Sequence, residues 1–425
     1  MACCNNKNPT PPPYQRFGSF RQRSVVKPAL RVFYSMTVLG ALLTPVAGLA
    51  EPFRPTVPDQ ILERLPTPGD AVTRELRRLR ADLNDDPKDL ELARTLAKRY
   101  ITLGRAEADP RYYGYAEAAL KPWVNLATPP VEVQVLRAVL RQNRHDFDGA
   151  LDDLAKTLAA KPRHAQALLT QAFVLQVQGR YKEARQSCRS LPRGVHPLIV
   201  VTCVARIESL TGRSSTGYAL LKRGLASWAD TDARLRLWAF TNLGEIAQRD
   251  GDIAAAERHF RDGLDLGIRD AYLRGAYADL LLDAGRADEA RDFLAGDTRI
   301  DGLLLRLALA EARLGNAAAK DHQAVLQARF AASRLRGSVI HRREEARFTL
   351  EMLDRPNDAL ALAQANWQVQ REPADARLVL ETALAAGAPE QAQPVLNWLR
   401  ETGLEDKQID KLVKRVSARL DQEKN

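Results

Sequence analysis

Two cysteines are the residues whose chemistry the sequence predicts most directly. Beyond residue 50 the chain contains only Cys188 and Cys203, which flank a turn centred near Val195. Each cysteine lies about two helical turns from that bend, so an antiparallel pair of helices would bring the two thiols side by side. We predict a disulfide between them. The alternative is that both are buried thiols that fill core positions.

Motifs for catalysis, metal binding and cofactor binding are not found in this sequence. It lacks a Gly-x-Gly-x-x-Gly segment, a phosphate-binding loop and a His-Glu-x-x-His segment. Residues 212–217, Gly-Arg-Ser-Ser-Thr-Gly, do not match the Gly-x-Ser-x-Gly of a nucleophile elbow. The six histidines are scattered without ligand spacing. We therefore predict no catalytic residue, no metal and no cofactor; an enzyme whose site has no recognisable motif is the remaining alternative.

Composition and charge favour a folded helical chain without a nucleic-acid partner. The 425 residues are 45% hydrophobic and 27% charged, and Ala, Leu and Arg are abundant. The formal net charge is +10, but six cations and no acid fall within residues 1–50, which leaves +4 (10 − 6) for the rest. No basic face with interleaved aromatic residues is evident in that remainder, so we do not expect binding to nucleic acid.

Residues 1–50 are predicted to be an export signal. A basic segment precedes the uncharged apolar stretch 32–50, which ends in Gly-Leu-Ala with small residues where a signal peptidase recognises its substrate. The alternative is a retained membrane anchor, because the stretch is just long enough to span a bilayer. Cleavage predicts a periplasmic protein, whereas retention predicts anchoring in the inner membrane. Residues 51–69 contain five prolines and are predicted to be an extended linker.

An internal repeat of about 34 residues occupies residues 90–403. Expected turns between helices recur at intervals of 30 to 41 residues. A small residue recurs seven positions before most of these turns and five positions after them, and an apolar residue recurs nine positions after them. Small residues let two helices approach closely, and the larger residue fills the groove between them. The expected turn positions are Gly104, His145, Gly179, Gly212, Gly251, Gly285, Gly315, Asp354 and Gly387.

This pattern resembles the tetratricopeptide repeat family, most clearly within residues 237–270. There the residues on family positions are Leu243, Gly244, Gly251, Ala256 and Phe260. The resemblance implies an all-α fold, an α-solenoid of about eight or nine helical hairpins, because one hairpin cannot bury its apolar face alone. The hairpins near residues 315 and 354 are degenerate, with Arg347 where a small residue is expected.

Further helices are predicted at both ends of the repeat array. Residues 70–89 are predicted to form an N-terminal helix. Residues 404–425 are predicted to form a capping helix, which an open solenoid needs for solubility. The apolar face of this capping helix carries Ile409, Leu412, Val413, Val416 and Leu420.

The first repeat interval is seven residues longer than 34, which indicates an insertion between residues 104 and 116. Aromatic residues cluster there, and two interpretations remain open. They can form a stacking platform for a peptide or a sugar, or they can cover the end of the array. The residues concerned are Arg111, Tyr112, Tyr113 and Tyr115.

Resemblance to this family also implies a ligand groove, because the first helix of each hairpin lines the concave side in family members. The groove of this chain carries both signs of charge, which favours a protein or peptide ligand; ordinary solvated helix faces are the alternative. The residues expected to contact the ligand are Arg206, Trp238, Thr241, Glu245, Gln248, Arg249, Tyr272 and Asp279.

These observations predict a non-catalytic periplasmic scaffold or adaptor that holds a partner protein or peptide in its concave groove. The alternative is an accessory component of an envelope export or polysaccharide assembly machine. Contact with a membrane is expected only if the leader is retained.

Overall fold

The computed structural model describes residues 70–337 and 340–423; the predicted signal peptide and proline-rich linker lie outside these ranges. Within them the chain forms 21 α-helices, a 3₁₀ turn at Pro389–Ala392 and no strand. The helices are α1 Ala71–Asp85, α2 Leu90–Ala106, α3 Arg111–Ala119, α4 Lys121–Val124, α5 Val131–Asn143, α6 Phe147–Ala160, α7 Ala165–Val177, α8 Tyr181–Arg189, α9 Pro197–Ser209, α10 Ser214–Ser227, α11 Ala233–Arg249, α12 Ile253–Leu264, α13 Ala271–Asp283, α14 Ala287–Leu294, α15 Asp301–Arg313, α16 Ala318–Leu335, α17 Arg342–Glu351, α18 Pro356–Trp367, α19 Pro373–Ala385, α20 Gln393–Thr402 and α21 Lys407–Glu423.

Nine helical hairpins run from α2 to α20 in the described part of the chain. The first pairs α2 with α3 and α4, the next seven pair successive helices from α5 to α18, and the ninth pairs α19 with the 3₁₀ turn and α20. Neighbouring hairpins pack through both their first and their second helices. The predicted all-α solenoid of eight or nine hairpins is confirmed. None of the described helices is both long and apolar enough to cross a bilayer.

Most hairpins turn on one residue with left-handed backbone. In the sixth hairpin Gly285 has φ 75°, and the following Arg286 donates its N–H to the carbonyl of Leu281 at 2.9 Å. Glycine adopts this conformation without the steric cost that a Cβ imposes. His145 (φ 60°) and Asp354 (φ 49°) adopt it at the two predicted turn positions that are not glycine, as expected from the repeat spacing.

The first hairpin departs from the predicted positions. Gly104 is not at a turn but is buried within α2, and the left-handed residue is Ala108 at φ 46°. A Cβ on Gly104 would lie 2.8 Å from Cε1 of Tyr113, so glycine is needed here for close packing of α3. The segment predicted to be an insertion therefore forms the hairpin turn and the first part of α3.

The eighth hairpin explains why Arg347 interrupts the small-residue pattern. Its turn is one residue longer than the others. Arg355 donates its N–H to the carbonyl of Thr349, six residues earlier, whereas the corresponding bond in the second to seventh and ninth hairpins spans five residues. The small-residue position consequently falls on Ala346, which is 0% exposed. Arg347 lies on the adjacent face of α17 and forms ion pairs.

The array closes on itself, because the ninth hairpin and α21 lie against the turns of earlier hairpins. The N–H of Arg371 donates to the carbonyl of Val177 at 2.7 Å. A Cβ on Gly212 would lie 3.0 Å from the carbonyl oxygen of Gly403, so two hairpin ends distant in sequence touch through their backbones. Apolar side chains from residues 172–210 and 346–416 form one continuous cluster at this contact.

Helix α21 completes the closure. Ile409, Leu412 and Val416 are buried, and its apolar face packs against α19 and the 3₁₀ turn. Just before it, the Glu405 carboxylate accepts the backbone N–H of Ser214 at 3.0 Å. The segment therefore covers the end of the array and also contacts the fourth hairpin.

Candidate functional site

The two cysteines of the described residues, Cys188 and Cys203, are joined in a disulfide. Cys188 in α8 and Cys203 in α9 lie with their Cα atoms 5.8 Å apart, and both are almost fully buried. The bond links the second helix of the third hairpin to the first helix of the fourth. The predicted disulfide is confirmed, and the alternative of two free thiols is not found.

One face of α13, which belongs to the predicted groove, is partly covered by later helices of the same chain. Tyr272, Asp279 and Asp283 lie seven and then four residues apart, so they project on the same side. Asp283 accepts two hydrogen bonds from Arg377 in α19, at 2.7 and 2.9 Å. Asp279 accepts one from Arg347 in α17 at 2.6 Å. Later hairpins thus cover this face towards its C-terminal end.

Tyr272, at the start of the same face, remains 55% exposed. Its hydroxyl donates to the carboxylate of Glu245. Burial of that hydroxyl among the surrounding helices, with the nearby Glu245 charge, raises the pKa of Tyr272. The ring of Tyr272 is therefore open to solvent, while its hydroxyl is bound to the neighbouring first helix α11. We call this feature the concave recess, defined by Tyr272, Glu245, Arg206 and Trp238.

Charges on four helices meet beside the recess. Arg206 in α9 lies 3.3 Å from Glu245 in α11 and 3.5 Å from Glu372 at the start of α19. Glu372 also accepts from Arg343 in α17 at 2.7 Å. Burial opposes ionisation of Glu372, but the Arg343 and Arg206 charges outweigh it and lower the pKa of that carboxyl. These ion pairs hold first helices of separate hairpins around the recess.

Aromatic side chains follow the same wall. Trp238 lies on the same side of α11 as Glu245, seven residues away, and is half-buried. Its ring meets that of Phe173 in α7 edge to face, with centroids 5.6 Å apart. A wall of half-exposed aromatic rings beside charges of both signs can hold apolar side chains and hydrogen-bond a peptide backbone.

The other predicted groove residues are not open to a ligand in the way we expected. Thr241 is buried, and its hydroxyl donates to the carbonyl of Leu237 at 2.8 Å. Arg249 donates to the Ser209 hydroxyl at 2.9 Å. Gln248 is half-buried beside it. Thr241 is therefore not at the exposed position that we expected, whereas contact of Gln248, Arg249 and Asp279 with a ligand stays a prediction.

The predicted aromatic residues near the N-terminus belong to a different hairpin. Tyr112 and Tyr115 cluster with the buried Tyr100, at centroid distances of 6.2 and 5.5 Å. Tyr113 covers Gly104, as described above. Arg111 pairs with Asp109 at 2.7 Å. Tyr115 remains 49% exposed, so the cluster packs mainly on its own hairpin and is separate from the concave recess.

Three residues beside the recess were not predicted from the sequence: Phe173, Arg343 and Glu372. Phe173 follows the family-position Ala172 in the repeat pattern and carries no periodic signal of its own. Arg343 and Arg347 lie four residues apart in the degenerate hairpin, and that charged spacing was the available signal. Among the residues the structure describes, no group of three or more potential ligands is arranged to hold a metal ion.

Comparison with known proteins shows similarity at the level of structure. No family model matches the chain, and no curated protein matches its sequence. The type IV pilus biogenesis factor PilW is 20% identical, covering 47% of this chain and 94% of its own, with a TM-score of 0.38. A tetratricopeptide repeat protein from Parabacteroides merdae is 15% identical, covering 56% and 92%, with a TM-score of 0.39. The human IFIT1 dimer, solved with m7Gppp-AAAA, is 12% identical, covering 77% and 86%, with a TM-score of 0.44.

At these identities and TM-scores the similar structures do not indicate a function. The fold is identified from the sequence and structure of this chain. Its turns recur about every 34 residues, small residues recur in phase with them, and the described residues stack as nine hairpins. By these features the chain has the tetratricopeptide-type repeat fold.

Proposed function

We propose that this protein is a non-catalytic scaffold that binds a segment of a partner polypeptide in the concave recess. The observation that carries the proposal is the ring of Tyr272, which is 55% exposed while its hydroxyl is held by the carboxylate of Glu245. Exposed aromatic rings in concave surroundings are frequent anchors of protein interfaces, since they bury a large area at a small entropic cost.

The extent of the recess favours a segment over a folded domain. Arg347 and Arg377 already bind the rest of the α13 face through Asp279 and Asp283. A folded partner would have to displace these ion pairs, whereas an extended or helical segment needs only the wall that carries Tyr272 and Trp238. Glu245 and Arg206 offer an acceptor and donors for its polar groups.

Periplasmic residence is part of the same proposal. The disulfide between Cys188 and Cys203 supports it, because such bonds persist in oxidising compartments and are rare in the cytosol. Mass spectrometry of protein alkylated in intact cells and left unreduced would show a bonded pair. Two alkylated thiols in the native protein would argue for the cytosol instead.

Photo-crosslinking tests the recess directly. The full chain would carry a benzophenone amino acid at position 272, and a matched bait would carry it at position 115, which is equally aromatic and 49% exposed but lies in the first hairpin. We expect a partner to crosslink from position 272 and not from 115. Addition of Trp238→Ala to the first bait should weaken the crosslink. Equal crosslinking from both positions, or none from 272, would reject the recess as the binding site.

A further inference from the structure

A second surface, distinct from the concave recess, lies between α10, α11 and α12 in the fourth and fifth hairpins. It is a cleft of about 260 Å³. Its floor is apolar and consists of Leu225, Phe240 and Leu243. Its polar lining consists of Lys222, Arg236 and His259. We call it the cationic cleft.

The two cations of the cationic cleft lack acidic partners. Among the described residues neither Lys222 nor Arg236 forms an ion pair or a side-chain hydrogen bond, and their contacts are with the rings of Tyr218 and Phe240, each 5.9 Å away. Several other arginines also leave Nε unpartnered. Arg206 is one of these, but its terminal nitrogens bind Glu245 and Glu372. Arg236 has no such pair.

Buried nitrogen atoms at the cationic cleft also lack hydrogen-bond partners. They are Nε of Arg236 and Nδ1 of His259. The other ring nitrogen of His259 lies 2.8 Å from the Tyr218 hydroxyl. If Tyr218 donates to it, Nδ1 carries the proton and is a donor without an acceptor. The acids near His259 are Asp262 and Asp252, and neither hydrogen-bonds to these nitrogens.

An apolar floor beside unpaired cations and donors is complementary to an apolar group with a carboxylate next to it. The cleft volume is below the roughly 300–1,000 Å³ of pockets that enclose small-molecule ligands. Lys222, Ala226 and Ala229 are exposed at its rim, so a free small acid would stay largely in water. A polypeptide would cover the rim while one side chain fills the cleft.

We propose that the cationic cleft docks an acidic segment of a partner protein. One aliphatic or aromatic side chain of that segment rests on Leu225, Phe240 and Leu243. A neighbouring Asp or Glu carboxylate accepts hydrogen bonds from Arg236 and pairs with Lys222. This surface is independent of the concave recess, and either site can exist without the other.

Three fluorescein-labelled, end-blocked peptides test the proposal by anisotropy with the full chain. The first has a central leucine flanked by two glutamates on each side, the second replaces the glutamates with glutamines, and the third replaces the leucine with glycine. We expect measurable binding of the first peptide and at least about tenfold weaker binding of the other two, because the charge and the apolar anchor both contribute.

Protein variants locate the binding. Lys222→Gln with Arg236→Gln should weaken binding of the first peptide by about tenfold. Ala226→Phe, which fills the cleft, should also weaken binding of the first peptide, without a change in the charge of the protein. The matched control, Arg223→Gln with Arg258→Gln, removes two cations of α10 and α12 that do not line the cleft, and should leave binding of the first peptide unchanged. Thermal melts by circular dichroism establish that each variant is folded.

Three results would overturn the proposal: no binding of the first peptide at millimolar protein, equal binding of the glycine peptide, or equal loss in the control variant. The last would show general attraction between an acidic peptide and a basic surface. Crosslinking at position 272 is unaffected by any of these results, so failure of the cationic cleft and failure of the concave recess can be told apart.

Discussion

Arg347 of the eighth hairpin and Arg306 of the seventh share the carboxylate of Asp279 in the sixth, each donating to one oxygen at 2.6 Å. Burial favours the neutral form of Asp279, but the Arg306 and Arg347 charges outweigh it and lower the pKa of this carboxyl to about 2. One acid thus joins three first helices, and it must be ionised to do so.

Asp279 should make stability depend on pH. Because its pKa is lower in the folded than in the unfolded chain, its contribution is complete above about pH 4 and is lost as the pH falls towards 2. Asp279→Asn should reduce the free energy of unfolding by roughly 2 kcal/mol at pH 7, and by progressively less below pH 4. Urea unfolding followed by circular dichroism would measure both values. A difference in free energy of unfolding between the variant and the parent chain that stays constant down to pH 2 would contradict the prediction.

Asp292→Asn is the control, since this acid is 70% exposed and should change stability by less than about 0.5 kcal/mol.

Closure of the array should be visible in two glycine substitutions. Gly212 and Gly285 have φ of 70° and 75°, so alanine strains both by about 1 kcal/mol. Only at Gly212 would the new Cβ meet the Gly403 carbonyl, at 3.0 Å, whereas nothing lies within 4 Å at Gly285. Gly212→Ala should therefore destabilise more and should speed amide hydrogen exchange in residues 369–409. Identical exchange in the two variants would show that this contact does not hold the C-terminal segment.

Removal of the disulfide should destabilise the chain by about 3 kcal/mol, because the bond closes a loop of 15 residues in the unfolded state. Cys188→Ala with Cys203→Ala is the suitable variant, since both positions are buried and serine would place a hydroxyl there. Denaturant midpoints with and without reductant provide the measurement. Reductant should lower the midpoint of the parent chain and leave the double variant unchanged; a reductant effect in the variant would point to another cause.

Tyr113 and Tyr115 should differ in their effect on stability. Tyr113 is half-buried and fills the space above Gly104, so Tyr113→Ala should cost about 2 kcal/mol. Tyr115 is 49% exposed and contacts only the rings of Tyr100 and Tyr112 among the aromatic residues described, so Tyr115→Ala should cost about 1 kcal/mol or less. Thermal unfolding of the two variants provides the comparison. A larger loss for Tyr115 would mean that the cluster covers the array end through that residue.

The turn positions and the contacts between neighbouring helices could be predicted from the sequence. The spacing of His145, Asp354 and the turn glycines followed from the length of two packed helices, and the distance of Cys188 and Cys203 from one bend predicted their pairing. Both are local relationships, which a repeat pattern records.

Contacts between distant hairpins could not be predicted in this way. The bond from Arg371 to Val177 has no counterpart in the repeat pattern, because a pattern that recurs in every hairpin says nothing about which turns meet. One indication in the sequence was Arg347, which lies outside the small-residue pattern and pairs with Asp279 of the sixth hairpin as well as with Glu351 of its own helix.

An open solenoid can grow or shrink by a hairpin and can begin to fold at either end. In this chain the apolar cluster shared by residues 172–210 and 346–416 makes the middle hairpins depend on the C-terminal ones, so hairpins cannot be added or lost independently. During synthesis from the N-terminus, the third and fourth hairpins emerge with part of their apolar surface uncovered until the C-terminal helices follow. Without residues 373–423 that surface would stay exposed, so α19 to α21 also protect the third and fourth hairpins from aggregation.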